Sequence, residues 1–244
     1  MNRYYYDLHI HSCLSPCGDE DSTPANIAGM ATLSGLNIVA LTDHNTTKNC
    51  PAFFAAAKKY GIIPVAGMEL TTSEDIHVVC LFENLIDATR FDEYVTGRRV
   101  LIDNRPEIFG EQLILDENDE ILGEEKYLLI NATAISIDET ASLVKEYGGV
   151  CYPAHIDRQS NGIISILGDI PPDSEFLYFE LHSGENITEF SERYGIDRER
   201  FIISSDAHRL TDIRDKEFYF ELDDEPYSSA KVRSELFRRL RNGK

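Results

Sequence analysis

The stretch YYYDLHIH at residues 4–11 predicts a β-strand that ends in two histidines. Side chains alternate between the two faces of a strand. We therefore expect His9 and His11 to lie on one face and Leu8 and Ile10 on the other. If the apolar face packs on helices, both imidazoles point to the opposite side, at the carboxyl end of the strand. This strand sets the pattern that the rest of the chain repeats.

Short apolar runs alternate with helical patterns along the chain. Predicted strands cover residues 4–11, 37–42, 62–69, 77–82, 150–155, 176–182 and 201–208. Strands alternating with helices predict parallel βαβ units, and this number of strands predicts a closed or nearly closed barrel. Residues 111–122 break the pattern: two apolar arms around an acidic turn predict a β-hairpin at the barrel rim. Residues 228–241 predict an amphipathic helix that packs on the barrel.

The composition is strongly acidic, with 23 Lys and Arg against 43 Asp and Glu and a formal net charge of −20. Affinity for nucleic acid comes mainly from cationic side chains that neutralise phosphates, so we expect no long nucleic acid and no membrane as partner. Five scattered cysteines without a Cys-x-x-Cys pair are typical of reduced thiols. Without a signal-peptide pattern or a membrane-spanning run, we expect a cytoplasmic location. The oligomeric state stays open.

Imidazoles and carboxylates gather at the ends of the predicted strands. They are His9, His11, Asp43, His44, Glu69, His155, His182, Asp206 and His208, while His77 lies near a strand start. In barrels of this class the carboxyl ends of the strands carry the chemistry. Buried imidazoles and carboxylates need partners, and one metal ion satisfies several of them at once. The pattern therefore predicts a metal centre at the mouth of the barrel.

Five motifs resemble those of the PHP (polymerase and histidinol phosphatase) family, and they occur in that family's order. They are DLHIHS at 7–12, TDH at 42–44, GME at 67–69, PAH at 153–155 and SDAH at 205–208. The resemblance implies an α/β fold: a distorted, TIM-like (β/α)7 barrel of PHP type with a small β-hairpin insertion. We expect a single domain over residues 1–244, with the rim insertion at about 104–130.

The resemblance also implies two to three divalent ions, of Zn, Mn or Fe. The implied ligands are His9, His11, Glu69 and Asp206 for the first ion, Glu69, His77 and His155 for the second, and His44 and His208 with one loop residue for the third. The family's loop motif would place an aspartate directly after Ser15, where this chain has Pro16. Counting back from Pro24, at the predicted helix start, selects Asp19 instead. Cys17 is the alternative, because a thiolate also binds zinc.

The function implied by the resemblance is that of a metal-dependent phosphoesterase. It would hydrolyse a small phosphomonoester or a short nucleotide with a metal-activated hydroxide. Glu69 is expected to be shared by two ions, and Asp43 to orient a ligand imidazole. His182 is expected to serve as a leaving-group acid, a substrate contact or a hydrogen-bonded rim residue, and Arg158 and Arg209 to bind the anionic substrate. Two alternatives stay open: an amidohydrolase-like hydrolase of C–N or C–O bonds, and a noncatalytic metal-stabilised regulatory module.

Overall fold

The computed structural model describes residues 1–243, in which strands and helices alternate for most of the chain. The strands are β1 (Asn2–Ile10), β2 (Ile38–Leu41), β3 (Ile63–Thr71), β4 (His77–Phe82), β5 (Leu113–Leu115), β6 (Ile121–Glu124), β7 (Val150–Pro153), β8 (Phe179–Leu181), β9 (Phe201–Ile203) and β10 (Tyr219–Leu222). The helices are α1 (Pro24–Leu33), α2 (Cys50–Tyr60), α3 (Leu85–Thr96), α4 (Pro106–Phe109), α5 (Ile137–Glu146), α6 (Ile163–Leu167), α7 (Ile187–Tyr194) and α8 (Ser229–Asn242).

The main sheet has six strands in the order β10-β1-β2-β3-β4-β7, and β8 and β9 form a separate parallel pair. Backbone contacts at the strand ends link the two sheets. The amide of His11 donates to the carbonyl of Ala207 at 2.9 Å, and the amide of Ile156 donates to the carbonyl of Glu180 at 2.8 Å. The strands therefore curl into a nearly continuous wall, as expected for a barrel-like α/β fold.

The strand pair β3–β4 departs from the predicted series of parallel βαβ units. These two strands are antiparallel, and β4 is also antiparallel to β7. The connection between them is the short turn at residues 72–76, in which the amide of Thr72 donates to the carbonyl of Ile76 at 2.9 Å. A parallel connection needs a dozen or more residues, so this turn permits only an antiparallel hairpin. The structure therefore does not contain seven successive β/α units.

The two faces of the main sheet pack into different apolar clusters. On β2, Val39 belongs to the cluster with α1, α2 and α3, whereas its neighbour Ile38 belongs to the cluster with α8. Leu8 lies in the α8 cluster but Ile10 in the opposite one. The prediction that these two residues share a face is wrong, because the register of β1 against β2 shifts between Asp7 and Ile10. An extra residue at such a bulge reverses the alternation of the side chains.

The two elements predicted outside the barrel pattern are both present. The hairpin of β5 and β6 is antiparallel, and α8 begins after the N-cap Ser228. Helix α8 buries Val232, Leu236, Phe237 and Leu240 against one face of the main sheet. None of the helices within residues 1–243 is long and apolar enough to cross a lipid bilayer.

Candidate metal centre

The polar site lies on the same face of the main sheet as α8, but at the other end of the strands. Along β3, Ile63 and Val65 pack in the α8 cluster, and the period of two places Glu69 further along the same face. After the bulge in β1, with Ile10 turned to the opposite face, His9 and His11 lie on this face as well. One surface of the sheet thus changes from apolar to ionisable along its length.

Glu69 is the centre of the site, and only 1% of its surface is exposed. Five imidazole nitrogens surround its carboxylate: on Oε1, His77 Nδ1 at 2.9 Å, His155 Nε2 at 3.2 Å and His9 Nε2 at 3.3 Å; on Oε2, His44 Nδ1 at 3.1 Å and His11 Nε2 at 3.3 Å. Burial opposes ionisation of Glu69, but the imidazoles of His77 and His9 outweigh it and hold its pKa well below the ordinary value. The carboxylate is therefore ionised.

Three groups of side chains bring their ligand atoms within 4.8 Å of one another. They are His9, His11, Glu69 and Asp206; His44, Glu69 and His77; and His11, His44 and His208. The first group has the same members as the first predicted ligand set. In the second group His44 takes the place predicted for His155, whose Nε2 nevertheless lies against Glu69.

Neither candidate from the loop after β1 belongs to these groups. Asp19 is exposed; its Oδ1 accepts a hydrogen bond from the amide of Asp21 at 3.0 Å, and its own amide donates to the carbonyl of His208 at 2.8 Å. Cys17 is exposed as well. The loop therefore touches His208 through its backbone, and the choice of Asp19 over Cys17 as ligand stays a prediction.

The hydrogen bonds of His9 and His11 determine where their ring protons lie. His9 Nδ1 lies 3.0 and 3.1 Å from the two carboxylate oxygens of Glu180, and His11 Nδ1 lies 2.9 Å from the hydroxyl of Ser15. With Nδ1 protonated in both neutral rings, the two Nε2 lone pairs face each other at 3.1 Å. Asp206 Oδ1 lies 3.3 Å from each Nε2. This arrangement is stable only with positive charge at that point.

The pKa directions agree with this demand for positive charge. Burial lowers the pKa of His9, but the carboxylates of Glu180 and Glu69 outweigh it and raise the pKa well above its ordinary value. His44, in contrast, has its pKa held well below the ordinary value by burial. In addition His155 Nδ1 is buried without a hydrogen-bond partner within residues 1–243. His44 Nδ1 and Asp206 Oδ1 are buried close to Glu69 and to the imidazoles of His9 and His11, but they form no hydrogen bond of good geometry there. Imidazoles and carboxylates with such free ligand atoms fit first-row divalent ions.

A cationic cluster adjoins the ligands. Arg158 contacts Asp206 through Nη1, and its Nη2 lies 3.0 Å from His182 Nδ1. Arg214 Nη2 lies 3.3 and 3.2 Å from the two ring nitrogens of His182, and its Nη1 donates to the carbonyl of His182 at 2.7 Å. Burial and both guanidinium groups lower the pKa of His182. A neutral imidazole between two cations is better suited to hold them in place than to donate a proton.

The predicted substrate residues divide accordingly. Arg158 lines the cavity beside the ligands, a space of about 150 Å³, together with Ser160 and Asn161. Arg209 is exposed, and Arg214, which the sequence motifs did not indicate, has no carboxylate partner within the described 243 residues. An arginine without a carboxylate partner in so acidic a chain is available to bind an anion.

Two further residues that the sequence analysis missed support the ligands. Glu180 is fully buried and orients His9. Ser15 lies between His11 and Asp43, and the hydroxyl of Ser15 donates to Asp43 Oδ1 at 2.8 Å. A carboxylate in the middle of the apolar strand β8 was a usable signal for Glu180. The role predicted for Asp43 is consistent with this geometry, since Asp43 reaches the imidazole through a serine hydroxyl.

Comparison with known proteins agrees with the geometry. The family model described as "PHP domain" matches residues 7–146. An uncharacterized protein of Methanocaldococcus jannaschii, MJ1587, is 35% identical over 86 residues, which cover 32% of this chain and 50% of that protein. A 5′-3′ exoribonuclease of Haemophilus influenzae is 37% identical over 79 residues, 31% of this chain and 28% of that enzyme. The matches thus span half or less of the curated relatives.

Solved structures share the fold. The lesion-specific endonuclease Q of Pyrococcus furiosus has a TM-score of 0.65 at 18% identity, over 99% of this chain and 56% of that one. A candidate metal-dependent phosphoesterase of Bifidobacterium adolescentis has a TM-score of 0.56 at 18% identity, over 96% of both chains. At such identities the likeness concerns the fold alone, and it confirms the α/β, TIM-like class.

One expectation from composition is wrong. We expected the acidic charge to exclude long nucleic acid, but endonuclease Q, with a TM-score of 0.64 and 17% identity to this chain, has been solved with a 27-mer duplex substrate carrying an abasic lesion. Net charge averages over the whole surface, whereas an anion responds to the local field. In this chain the guanidinium groups of Arg158 and Arg214 meet on His182 beside the ligand cluster.

Proposed function

The chain belongs to the PHP domain family, and from this premise we propose that it is a metal-dependent hydrolase of phosphate esters. The observation that carries the proposal is the meeting of His9 Nε2 and His11 Nε2 at 3.1 Å, next to the carboxylates of Glu69 and Asp206. Four buried ligand atoms pointing at one place form a site for a divalent cation, and such sites serve phosphoryl transfer.

The proposed ligands follow the three groups, and they suit two to three ions of Zn, Mn or Fe. His9, His11, Glu69 and Asp206 hold the first ion; His44 and His77 share Glu69 for the second; His208 with His11 and His44 would hold a third. A bound ion of this kind polarises a phosphoryl oxygen and lowers the pKa of its water. Glu180 and Ser15 keep the ligand nitrogens of His9 and His11 directed inward.

The cationic cluster supplies the contact with the substrate. Arg158 and Arg214 present guanidinium groups that can each form two parallel hydrogen bonds to phosphate oxygens. His182 stays neutral and lies between the guanidinium groups of Arg158 and Arg214. The two cations are therefore held near Asp206 without a second carboxylate to neutralise them. This combination favours an anionic ester over the neutral amide of an amidohydrolase substrate.

The proposed substrate is a phosphate ester of a nucleotide or nucleic acid. The cavity of about 150 Å³ accommodates a phosphoryl group and leaves the remainder of the substrate at the open rim. The exoribonuclease and endonuclease Q both act on nucleic acid, which supports this choice. Phosphomonoesters remain an arm of the test, because the phosphoryl contacts would be the same.

Metal analysis and a substrate panel test the proposal together. Protein purified without chelators and reconstituted with Mn²⁺ or Zn²⁺ is expected to hold at least two ions per chain by mass spectrometry. It should hydrolyse at least one of a phosphomonoester, a dinucleotide, a single-stranded oligonucleotide and a duplex carrying an abasic site. Stoichiometric absence of metal after reconstitution, or a loaded protein inert on the whole panel while it cleaves an amide, would overturn the proposal.

Replacing Arg214 is expected to weaken substrate binding without loss of metal. A hydrogen bond to a charged group contributes about 1.5–3 kcal/mol, so the KM of Arg214→Ala should rise about 10- to 100-fold. Arg209→Ala tests the residue that the sequence indicated, and the exposed Arg198→Ala is the matched control. Steady-state kinetics at fixed metal content decide between them. A larger rise in KM for Arg209→Ala than for Arg214→Ala would contradict the assignment.

A further inference from the structure

Asn49 is a fully buried amide at the N-cap of α2, but its side chain does not cap that helix. Asparagine is favoured at this position because it accepts from the first backbone N–H groups. Here its Nδ2 donates to Ser12 Oγ at 3.0 Å and to the carbonyl of Leu113 at 3.1 Å, and its Oδ1 accepts from the amide of Leu115 at 3.0 Å. The side chain thus ties the β5–β6 hairpin to the loop after β1.

The direction of the next hydrogen bonds follows from proton counting. The hydroxyl of Ser12 has one proton, which it donates to Asp43 Oδ2 at 2.7 Å. Its oxygen is therefore an acceptor towards Asn49. Asp43 Oδ1 also accepts from the amide of Ser12 at 2.7 Å and from the hydroxyl of Ser15 at 2.8 Å. The carboxylate of Asp43 thus takes the protons of both hydroxyl groups.

The same count fixes the ring of His11. Because Ser15 gives its proton to Asp43, its oxygen can only accept, and it does so from His11 Nδ1 at 2.9 Å and from the amide of His44 at 3.2 Å. His11 must then carry its proton on Nδ1. Its Nε2 faces Glu69 Oε2 at 3.3 Å and is the nitrogen left to bind an ion.

We propose that Asn49 is a positioning residue that fixes the orientation of His11 through Ser12, Asp43 and Ser15. Asn49 also bonds to the β5–β6 hairpin. The position of β5 against the loop after β1 therefore determines whether Nε2 of His11 points at the metal centre. The inference rests on the proposed function only in taking His11 as a metal ligand.

Asn49→Asp is the sharpest test, because it keeps the shape of the side chain and reverses the bond to Ser12. The new carboxylate can only accept, so it competes with Asp43 for the single proton of Ser12. Ser12 turns towards position 49, and Asp43 loses one of the donors that hold it against Ser15. Two measurements follow: nitrogen–proton correlation spectra of the histidine rings in the Zn²⁺-loaded protein, and Zn²⁺ affinity by competition titration.

The Zn²⁺-loaded wild type is expected to show one sharp Nδ1–H signal for His11, because Ser15 accepts that proton. In Asn49→Asp the same signal should broaden through exchange with water, and the first Zn²⁺ should bind about 10- to 100-fold more weakly, as expected when a residue that orients a ligand is lost. A variant that keeps both the sharp signal and the wild-type Zn²⁺ affinity would overturn the proposal.

Gln112→Glu, directly before strand β5, is the matched control. Gln112 is also buried, its Nε2 donates to the carbonyls of Glu125 at 2.7 Å and Tyr127 at 3.0 Å, and its Oε1 accepts from the amide of Leu129 at 2.8 Å. The substitution removes the same two donors and adds the same charge, but it does not touch Ser12. It should leave the Nδ1–H signal of His11 and the Zn²⁺ affinity unchanged. If it shifts both as Asn49→Asp does, the effect is general damage to the insertion.

Ser12→Ala keeps the test available if Asn49→Asp fails to fold, since it removes the middle of the chain of bonds with a small, uncharged side chain. It is expected to broaden the Nδ1–H signal of His11 in the same way, because Asp43 loses the donor on its Oδ2, and an unchanged signal would contradict the proposal. Neither measurement uses a substrate. If the protein hydrolysed no phosphate ester but Asn49→Asp altered His11, the proposed function would fail and this inference would stand.

Discussion

Glu69→Gln is expected to lower the turnover of phosphate ester by at least about 1,000-fold, while the protein stays folded. One carboxylate serves five imidazoles and belongs to two of the three ligand groups, so its loss affects both at once. An amide has no negative charge and only one acceptor oxygen, and its NH₂ group cannot bind a cation. Electrostatic stabilisation of this kind is usually the largest contribution to the rate, and single donors contribute factors of about 100–1,000.

The measurement combines kcat, metal content and a thermal scan. Glu93→Gln is the control, because Glu93 is exposed on α3 and the chemical change is the same. Glu69→Gln should bind at least one ion fewer than the wild type, and Glu93→Gln should match the wild type in all three measurements. A Glu69→Gln protein with full metal content and a rate near that of the wild type would show that Glu69 is not shared by two ions.

The ligand cluster could be predicted from the sequence because strand ends impose it. The position of a polar residue directly after a short apolar strand is fixed by that strand. Parallel strands bring such residues to one edge of the sheet. Strand ends alone predicted a metal centre, whereas the resemblance to the PHP family selected His9, His11, Glu69 and Asp206 as one ligand set. These four residues are one of the converging groups in the structure.

The distribution of the remaining ligands could not be predicted in the same way. His44 lies against Glu69 and His77 because β4 returns antiparallel to β3, which places Thr71 opposite His77 in the hairpin. A sequence shows that the turn at residues 72–76 is short but not how the paired strands bring three imidazoles together. His155 Nε2 lies 3.2 Å from Glu69 without belonging to a converging group, so its role as a ligand stays a prediction.

Some supporting residues were out of reach for a different reason. Arg214 lies in an irregular segment after β9, and nothing in its local sequence indicates that it reaches His182. The charge argument against nucleic acid failed on the same point, since a global count of carboxylates says little about where two guanidinium groups meet. The bulge in β1 could not be predicted either, because the residues YYYDLHIH fit a regular strand. Only the structure shows that Ile10 lies on the opposite face from Leu8.

The second large effect concerns stability: Leu236→Ala is expected to lower the free energy of unfolding by about 2–5 kcal/mol. Leu236 is fully buried on α8, in the cluster that covers the sheet face below the metal centre. Removing three carbons from this side chain leaves a cavity between the helix and the sheet, which the other members of the cluster fill only by shifting. Leu33→Ala on α1 is the matched control. Leu33 is 83% exposed, so the same truncation should change the free energy by less than about 0.5 kcal/mol.

Urea unfolding followed by circular dichroism measures both variants. Under native conditions Leu236→Ala should still bind metal with the affinity of the wild type, because the ligands lie at the far end of the strands and their hydrogen bonds do not pass through α8. Equal stability losses at the buried and the exposed leucine would refute the packing of α8 on this face. A large loss of metal affinity without loss of stability would show instead that α8 positions the ligands, and that the apolar and ionisable halves of this sheet face are coupled.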